Sequence, residues 1–397
     1  KMSKMIMSKP MALNGDEAIT EAWKQINPDV VASYPITPQT IIVEKFSEFV
    51  NDGLVETEFI AAESEHSAMS ACIGAAAAGG RAMTATASQG FALMWEMLFI
   101  ASSMRLPIVM AVANRALSGP INIHCDHSDS MGGRDSGWIQ LYSENVQEAY
   151  DNVFQAVRIG EDKRVRLPVM VCLDGFTTSH GVERVEIFDD SIRNFVGEYH
   201  IDHSLLDVDN PVTYGAMNLQ NYYFEQKRQQ IEAMNNSRPV IKEVGKAFEE
   251  ISGRKYDFLE AYNMDNAEVA LVVIGSTAGT VKALLDEEKD PRLGLLKMRT
   301  FRPFPAEELI QHLRGCKAVA ILDRAGSYGG VGGPVYSEVR SALYDETEKP
   351  HIVSYIYGLG GRDTTKKMIK SVYTDLDSIA KSKDTPTPIR YLGVRGD

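Results

Sequence analysis

Cysteine is scarce in this chain. Its 397 residues include four cysteines, and these lie far apart: Cys72, Cys125, Cys172 and Cys316. No two of them have the two-residue spacing of zinc or iron–sulfur ligands, and their number and spread do not suggest a secreted disulfide framework. The sequence therefore predicts a protein of the reducing cytoplasm that holds no metal ion or iron–sulfur cluster by itself.

Long apolar runs are absent as well. Runs such as Ile108–Ala113 have the length of a strand, whereas a membrane helix needs about 20 apolar residues. The first residues, Lys1–Met7, are too short and too interrupted for the apolar core of a signal peptide. We expect neither a membrane span nor a targeting segment.

Positive charge is in deficit, with 41 Lys and Arg against 54 Asp and Glu and a formal net charge of −13. Affinity for phosphate backbones comes from concentrated Lys and Arg, so this balance argues against a nucleic-acid-binding protein. Hydrophobic residues make up 44% and charged residues 24%, which excludes a disordered or fibrous chain. At about 150 residues per domain, the length suggests two or three domains.

The first half of the chain alternates short apolar runs with helical patterns. The runs that read as buried strands are Val30–Ile36, Val55–Ala62, Ala82–Ala87, Ile108–Ala113 and Pro168–Leu173. The helical patterns between them lie near Pro38–Val50, Glu65–Ala78, Phe91–Ser103 and Val146–Ile159. This alternation predicts a parallel sheet covered by helices on both faces.

A polar excursion begins at about residue 185 and includes a long helical pattern from Gln220 to Ile251. A second alternation of strands and helices follows it. The predicted strands are Val269–Ile274, Leu295–Phe301, Ala318–Leu322 and Ile352–Tyr357, and the predicted helices are Val281–Glu287, Ala306–Leu313, Val335–Leu343 and Thr364–Thr374. We predict an α/β protein with two doubly wound parallel-sheet domains, residues 1–250 and 251–397.

Polar side chains follow four successive strands of the first predicted sheet. They are Thr37, Glu65, the run Ser88–Gly90 and Arg115. Ligands of open parallel sheets bind outside the carboxyl ends of the strands, where these residues should share one rim.

Each of these residues also has a purely structural interpretation. Thr37 suits a helix N-cap with Pro38 in the first helical position, and Glu65 suits the first turn of a helix. Ser88–Gly90 could be an ordinary turn, and Arg115 could be a surface charge or part of an ion pair. Only the repetition at four strand ends favours a functional site.

Several segments of the chain resemble a known family. They are Ser33–Pro38, Glu63–Ala68, Thr84–Gly90, Ala113–Arg115, Gly133–Trp138, Arg302–Pro305 and Gly358–Asp363. In their order and over nearly the whole chain, they resemble the α subunits of the thiamine-diphosphate-dependent 2-oxoacid:ferredoxin oxidoreductases, the family of pyruvate:ferredoxin oxidoreductase. The resemblance implies a pyrimidine-binding domain followed by a domain like the C-terminal domain of transketolase.

The resemblance also implies roles for the residues of the rim. Glu65 matches the glutamate that contacts the aminopyrimidine of the cofactor, where a carboxylate favours the imino tautomer needed for proton transfer. Glu63 lies two residues away, but Glu65 is preferred by its place in the motif. Thr37 and Arg115 match residues at the substrate and cofactor, and a guanidinium can bind a 2-oxoacid carboxylate bidentately. The residues implied to lie at the cofactor are Pro35, Thr37, Glu65, Ser88, Gln89 and Gly90.

The chain lacks the Gly-Asp-Gly segment through which thiamine enzymes bind diphosphate and Mg²⁺, because neither Asp174–Gly175 nor Asp16 completes it. The resemblance therefore implies a shared active site. A β subunit would supply the diphosphate-binding half and Mg²⁺, and iron–sulfur and γ subunits would supply [4Fe-4S] clusters and contacts to coenzyme A. Electrons would leave to ferredoxin.

The resemblance favours pyruvate as the substrate but leaves 2-oxoisovalerate, phenylglyoxylate and 2-oxoglutarate open. Oxalate is disfavoured, because oxalate-specific relatives carry a basic residue where Thr37 stands and an acidic one where Ser118 stands. A non-redox thiamine decarboxylase or transketolase-type subunit and a non-catalytic assembly subunit are the remaining alternatives.

Two further features have competing interpretations. The run Gly326–Gly333 could bind a phosphate through its backbone amides, but it lacks the P-loop Lys-Ser/Thr pair and better suits a tight turn or subunit packing. His124, Asp126, His127 and Asp129 could suggest a metal site, but they lie in a loop that resembles one beside the active site of the family.

Overall fold

The computed structural model describes residues 5–382 and 388–396. Its strands in these ranges are β1 (Ser8–Leu13), β2 (Val30–Ser33), β3 (Glu58–Ala61), β4 (Ala82–Thr86), β5 (Val109–Asn114), β6 (Ile139–Ser143), β7 (Val169–Asp174), β8 (Glu183–Phe188), β9 (Leu259–Tyr262), β10 (Val269–Ile274), β11 (Leu293–Met298), β12 (Thr300–Arg302), β13 (Ala318–Asp323), β14 (His351–Tyr357) and β15 (Ile389–Leu392). Its helices there are α1 (Gly15–Ile26), α2 (Thr40–Asn51), α3 (Glu65–Ala78), α4 (Ser88–Leu93), α5 (Trp95–Ser103), α6 (Ser128–Gly132), α7 (Val146–Glu161), α8 (Arg193–Val196), α9 (Tyr223–Ser252), α10 (Thr277–Glu288), α11 (Ala306–Leu313), α12 (Pro334–Leu343) and α13 (Lys366–Lys381).

The first sheet has seven strands in the order β12-β6-β7-β5-β4-β2-β3. All neighbours are parallel except β12, which pairs antiparallel with β6 at one edge. The central strands β4, β5 and β7 are buried along their whole length, as strands covered on both faces must be. The predicted parallel sheet of the first half is therefore confirmed.

The second sheet has six strands in the order β15-β14-β13-β10-β11-β9. Only β9 runs antiparallel to its neighbour. The predicted α/β class and its two sheets are confirmed, and each sheet carries one antiparallel edge strand that the sequence did not reveal.

The predicted polar excursion lies outside the two large sheets. It begins after β8, which pairs antiparallel with β1 in a separate two-stranded sheet, and it ends in α9, a helix of 30 residues. The predicted helix Gln220–Ile251 matches this element closely. The boundary at residue 250 remains a prediction, and β12, which follows it in the chain, joins the first sheet.

The buried apolar residues of the described ranges form three hydrophobic cores. One lies under α1 and α7 on one face of the first sheet, and another covers one face of the second sheet with α10 and α13. The third contains residues from both sheets, including Met110 and Trp138 from the first half and Val272 and Ile321 from the second. This shared core holds the two sheets together.

Two predicted elements differ from the observed ones. The pattern Phe91–Ser103 is divided into α4 and α5, and the run Leu295–Phe301 is divided between β11 and β12, which belong to different sheets.

The prediction of Thr37 as an N-cap is wrong. Helix α2 begins at Thr40 and Gln39 precedes it, because the Gln39 side chain turns inward to donate to the carbonyls of Tyr34 and Ala85 at 3.0 and 2.9 Å.

Candidate active site

The four strand ends selected from the sequence lie at one edge of the first sheet, because β3, β2, β4 and β5 are adjacent and parallel. Unpartnered polar atoms collect on these strands and the turn after β2. Among the described residues, the buried side-chain atoms there without a hydrogen-bond partner include Ser33 Oγ, Gln39 Oε1, Thr84 Oγ1, Thr86 Oγ1 and Asn114 Oδ1. Buried polar groups are normally paired, so these atoms at the edge of the sheet are free to form hydrogen bonds with a ligand.

Glu65 occupies the first position of α3. Ser64 caps this helix, since its hydroxyl accepts from the Ser67 amide at 3.2 Å, and Gly79 ends it in the left-handed region at φ 104°. Glu65 as a whole residue is only 5% exposed. Its carboxyl group has no side-chain hydrogen bond to another residue within the described ranges, and burial raises its pKa.

Glu63 is in a different environment although it is two residues away. Its carboxylate is exposed and accepts a hydrogen bond from the Ser67 hydroxyl, which lowers the pKa of Glu63. Of these two glutamates, only Glu65 combines burial with a carboxyl group that has no side-chain partner, and Glu65 is the one that the sequence favoured.

The run Ser88–Gly90 begins α4 and lies against Glu65. A methyl carbon on Gly90 would lie 2.8 Å from Glu65 Cδ and 2.6 Å from Thr86 Oγ1, closer than real side chains approach. Ser88 has a left-handed backbone at φ 46°, and its hydroxyl donates to the Ala116 carbonyl at 2.5 Å. Close backbone approach to Glu65 therefore explains the glycine at position 90.

Arg115 follows β5 and is 7% exposed. Its guanidinium donates to the Thr37 carbonyl at 3.0 Å and to the Asn122 carbonyl at 2.9 Å. Thr37 and Pro35 are exposed at the same edge of the sheet. The structure thus brings Thr37 and Arg115 together through a main-chain oxygen, and Arg115 is not a surface charge.

Asp129 was not assigned to this site from the sequence, which offered it only as a weak metal ligand. Its carboxylate accepts from the backbone amides of Ser88 and Arg115 at 3.0 and 2.9 Å and from the Asn114 side chain at 2.8 Å. The one signal in the sequence was its place in a segment that resembles a family loop beside the active site.

The other members of the suspected metal group turn to separate partners. Asp126 accepts from Ser128, while His127 pairs with Asp174 at 2.7 Å. Cys125, His127 and Asp174 do approach one another within 4.8 Å, but the Asp174 carboxylate already pairs with the Arg324 guanidinium at 2.9 Å.

The run Gly326–Gly333 connects β13 to α12. A methyl carbon on Gly333 would lie 2.3 Å or less from the Asp323 carboxylate, which accepts from the amides of Val335 and Tyr336 at 2.8 and 3.0 Å. The C-terminal end of this run therefore packs closely against Asp323, while Tyr328 in its middle is fully exposed.

The site fits one half of thiamine diphosphate. A buried carboxyl group with a raised pKa and no side-chain partner suits a ring nitrogen of an aminopyrimidine, and Glu65, packed against the backbone of Gly90, supplies such a group. The diphosphate half has no equivalent at Asp174–Gly175, because Asp174 is occupied by His127, Arg324 and Ser276.

The fold and this site define an α/β protein with a thiamine-diphosphate-binding domain. The family model described as "Pyruvate flavodoxin/ferredoxin oxidoreductase, thiamine diP-bdg" matches residues 21–246, and that of "Pyruvate:ferredoxin oxidoreductase core domain II" matches residues 267–369. The chain belongs to the pyruvate:ferredoxin oxidoreductase family, as the sequence motifs predicted, and is an oxidoreductase subunit.

Curated relatives match over nearly the full length. Pyruvate synthase subunit PorA of Thermotoga maritima is 56% identical over 97% of this chain and 98% of the relative. The PorA subunit of Methanocaldococcus jannaschii is 49% identical over 96% and 97%. Ketoisovalerate oxidoreductase subunit VorA of Pyrococcus abyssi is 40% identical over 98% and 100%. These relatives are named as subunits, so this chain is one subunit of a heteromeric complex.

A solved structure supports the fold. The 2-oxoglutarate:ferredoxin oxidoreductase of Magnetococcus marinus, with 2-oxoglutarate, coenzyme A and succinyl-CoA bound, superimposes with a TM-score of 0.70 at 19% identity. The match covers 92% of this chain and 65% of that chain. In the described part of this chain, no helix is both long and apolar enough to cross a membrane.

Proposed function

We propose that this chain is the α subunit of a pyruvate:ferredoxin oxidoreductase, which converts pyruvate and coenzyme A to acetyl-CoA, CO₂ and reduced ferredoxin. The observation that carries the proposal is Glu65, a buried carboxyl group without a side-chain partner at the rim where four strand ends meet. The pyruvate synthase subunits at 56% and 49% identity support the choice of pyruvate.

In this proposal Glu65 holds a proton at the aminopyrimidine of thiamine diphosphate. Its low exposure favours exchange of that proton with the ligand over exchange with water. When bound, the cofactor supplies the carbanion chemistry of decarboxylation. Pro35, Thr37, Ser88, Gln89 and Gly90 form the backbone wall around the ring, and the missing side chain of Gly90 allows the Glu65 carboxyl group to pack against that wall.

Arg115 and Thr37 bind the substrate carboxylate in this proposal. Two hydrogen bonds, to the carbonyls of Thr37 and Asn122, fix the guanidinium and leave its remaining N–H groups for a ligand. A fixed guanidinium suits bidentate binding of a carboxylate. The exposed Thr37 hydroxyl can donate to the same carboxylate or to the oxygen that gains charge during attack.

The remaining parts of the reaction belong to partner subunits. We propose that a β subunit binds the diphosphate and Mg²⁺, that iron–sulfur and γ subunits carry [4Fe-4S] clusters and contact coenzyme A, and that ferredoxin accepts the electrons. Asp174 already pairs with His127 and Arg324 of this chain, which supports the assignment of the diphosphate and Mg²⁺ to a β subunit. We also propose that the complex works in the cytoplasm without nucleic acid, supported by four free, buried cysteines and the net charge of −13.

The test is to purify the complex that contains this chain and to measure pyruvate-dependent reduction of ferredoxin or a viologen dye with coenzyme A present. We expect reduction that requires both pyruvate and coenzyme A. If the complex fails to reduce the dye whichever 2-oxoacid is added, the oxidoreductase assignment is contradicted. A colourless complex would favour a non-redox thiamine enzyme.

A second substrate has its own support, since the ketoisovalerate oxidoreductase subunit matches 98% of this chain at 40% identity. One methylene in an apolar pocket changes specificity by only about 1–3 kcal/mol, so related 2-oxoacids can share this framework. Comparing kcat/KM for pyruvate, 2-oxoisovalerate and phenylglyoxylate decides between them. A higher value for 2-oxoisovalerate would replace pyruvate in the proposal.

A further inference from the structure

Asp129 lies beneath the rim on the short helix α6 and is only 1% exposed. Its Oδ2 accepts from two backbone amides, those of Ser88 at 3.0 Å and Arg115 at 2.9 Å. Its Oδ1 accepts from the Asn114 side chain at 2.8 Å and from the Ser130 amide at 2.7 Å. One carboxylate thus collects hydrogen bonds from the ends of two neighbouring strands.

All four of these partners donate. An ionised carboxylate has lone pairs for all of them, whereas a protonated carboxyl group must turn an O–H toward one pair of donors. An asparagine has the same shape but only one oxygen, so its NH₂ group would face either the Ser88 and Arg115 amides or the Asn114 side chain. The geometry therefore requires the carboxylate and not merely a polar group of this size.

The two amides belong to opposite sides of the proposed site. Ser88 begins the segment in which Gly90 packs against Glu65, and its left-handed backbone at φ 46° is unusual for a residue with a side chain. Arg115 carries the guanidinium that contacts Thr37. Ser88 and Arg115 have no direct hydrogen bond to each other in the described structure, so Asp129 is a link between them.

We propose that Asp129 is a positioning residue that fixes the cofactor side and the substrate side of the site relative to each other. This inference rests on the proposed roles of Glu65 and Arg115. Asp129 does not contact the substrate in this proposal and acts through the backbone at Ser88 and Arg115 alone.

The surroundings of Asp129 make its charge sensitive to pH. Burial raises its pKa to about 6, against the hydrogen bonds that lower it. The titratable groups that face it are Arg115 at the end of β5, Tyr142 on β6, Cys172 on β7 and Cys125 in the preceding loop. Arg115 is the one cation in this set, so no second cation compensates for the charge of Asp129 within it.

The test is Asp129→Asn in the assembled complex, read by hydrogen exchange at the Ser88 and Arg115 amides together with steady-state kinetics. We expect protection of both amides to fall at least about tenfold, since neither amide keeps a charged acceptor in either orientation of the asparagine. We expect kcat/KM for pyruvate to fall about 10²-fold, because misplacement of the binding groups by about 1 Å has effects of that size. Both KM for pyruvate and the dissociation constant of thiamine diphosphate should rise.

Asp323→Asn is the matched control. Asp323 is also a buried aspartate whose carboxylate accepts from two backbone amides, those of Val335 and Tyr336, and burial raises its pKa to about 7. Its substitution should increase exchange near α12 and leave the Ser88 and Arg115 amides protected. The proposal fails if Asp129→Asn leaves either amide as protected as before, or if the control releases them equally.

The unmodified complex provides a second test should Asp129→Asn fail to fold. After correction for the intrinsic pH dependence of exchange, protection at both amides should fall together as the pH drops through about 6. Protection that stays constant from pH 7.5 to pH 5 would overturn the proposal. Hydrogen exchange is measured without substrate, so its result can be interpreted even if the complex does not act on pyruvate. Failure of the proposed activity and failure of the proposed role of Asp129 are therefore distinguishable.

Discussion

Glu63 and Glu65 differ in their surroundings more than in their positions. The backbone of α3 turns Glu65 inward beneath Gly90, while Glu63 precedes the helix and pairs with Ser67 at the surface. Burial opposes ionisation of Glu65, and the Ser67 hydroxyl favours ionisation of Glu63, so their pKa values move in opposite directions. A residue that must exchange a proton with a ligand needs the first environment.

Replacing Glu65 tests this difference directly. Glu65→Gln keeps the size of the side chain but removes the proton exchange, so we expect turnover of pyruvate in the complex to fall about 10²- to 10⁴-fold. Glu63→Gln is the control and should leave turnover unchanged, because its carboxylate contacts Ser67 and solvent. Dye reduction and thermal unfolding of both variants give the measurement. Equal losses in the two variants would remove Glu65 from the proposed chemistry.

At the scale of elements, the sequence predicted the continuously apolar strands well and missed a buried strand whose pattern polar residues interrupt. Strand β10 (Val269–Ile274) matched its predicted bounds, because a fully covered strand is apolar throughout. Strand β6 was missed, since Gln140 and Ser143 interrupt its apolar pattern. Their side chains are buried only because Gln140 donates to the Ser130 carbonyl and Ser143 accepts from Asn152. Those partners come from other segments and leave no local pattern.

Helix α4 provides a test at this scale. Gly90→Ala introduces a methyl group 2.8 Å from Glu65 Cδ, so either α4 or the Glu65 side chain must shift. We expect at least about tenfold weaker binding of thiamine diphosphate with the fold retained, measured by titration of the complex, because tight packing tolerates little added volume.

Gly74→Ala in α3 is the matched control for this helix test. A methyl carbon at Gly74 meets nothing within 4 Å, so this change should stabilise α3 by about 0.5–1 kcal/mol and leave cofactor binding unaltered. Unchanged cofactor binding in Gly90→Ala would show that Glu65 does not depend on the close approach of α4.

At the scale of the whole molecule, a buried ion network joins the two sheets near the site. Asp174 at the end of β7 pairs with His127 and with Arg324, which follows β13, and accepts from Ser276 of the second half. Burial raises the pKa of Asp174, but its interactions with His127 and Arg324 outweigh burial and hold the pKa below its usual value. The network complements the shared hydrophobic core.

This network predicts a pH-dependent stability. Because the pKa of Asp174 is lowered in the folded state, its contribution is present above the unfolded value near 4 and is lost as the pH falls through the folded value. Asp174→Asn should destabilise the chain by about 3–5 kcal/mol at pH 7, since it leaves Arg324 buried without its partner. Denaturant unfolding at pH 7 measures the effect of the substitution, and unfolding at a pH well below 4, between about 2 and 3, measures the loss of the Asp174 contribution.

Asp135→Asn is the control for the network, because Asp135 is exposed and lies 3.4 Å from Arg302. It should change stability by less than about 1 kcal/mol at either pH. If the difference in the free energy of unfolding between Asp174→Asn and the unmodified chain increases as the pH falls, the assigned direction of the Asp174 pKa shift is contradicted.

The sequence by itself determined the alternation of strands and helices, the family motifs and the four strand ends at which Thr37, Glu65, Ser88 and Arg115 stand. The alternation and the strand ends follow from periodicity and chain order, which are local properties, and the motifs follow from resemblance to a known family. Tertiary structure alone decided that Thr37 offers its carbonyl to Arg115 and caps no helix, and that Asp129 ties Ser88 to Arg115. The physical reason is that burial and hydrogen-bond partners come from segments distant in the chain and exist only once the sheet has assembled.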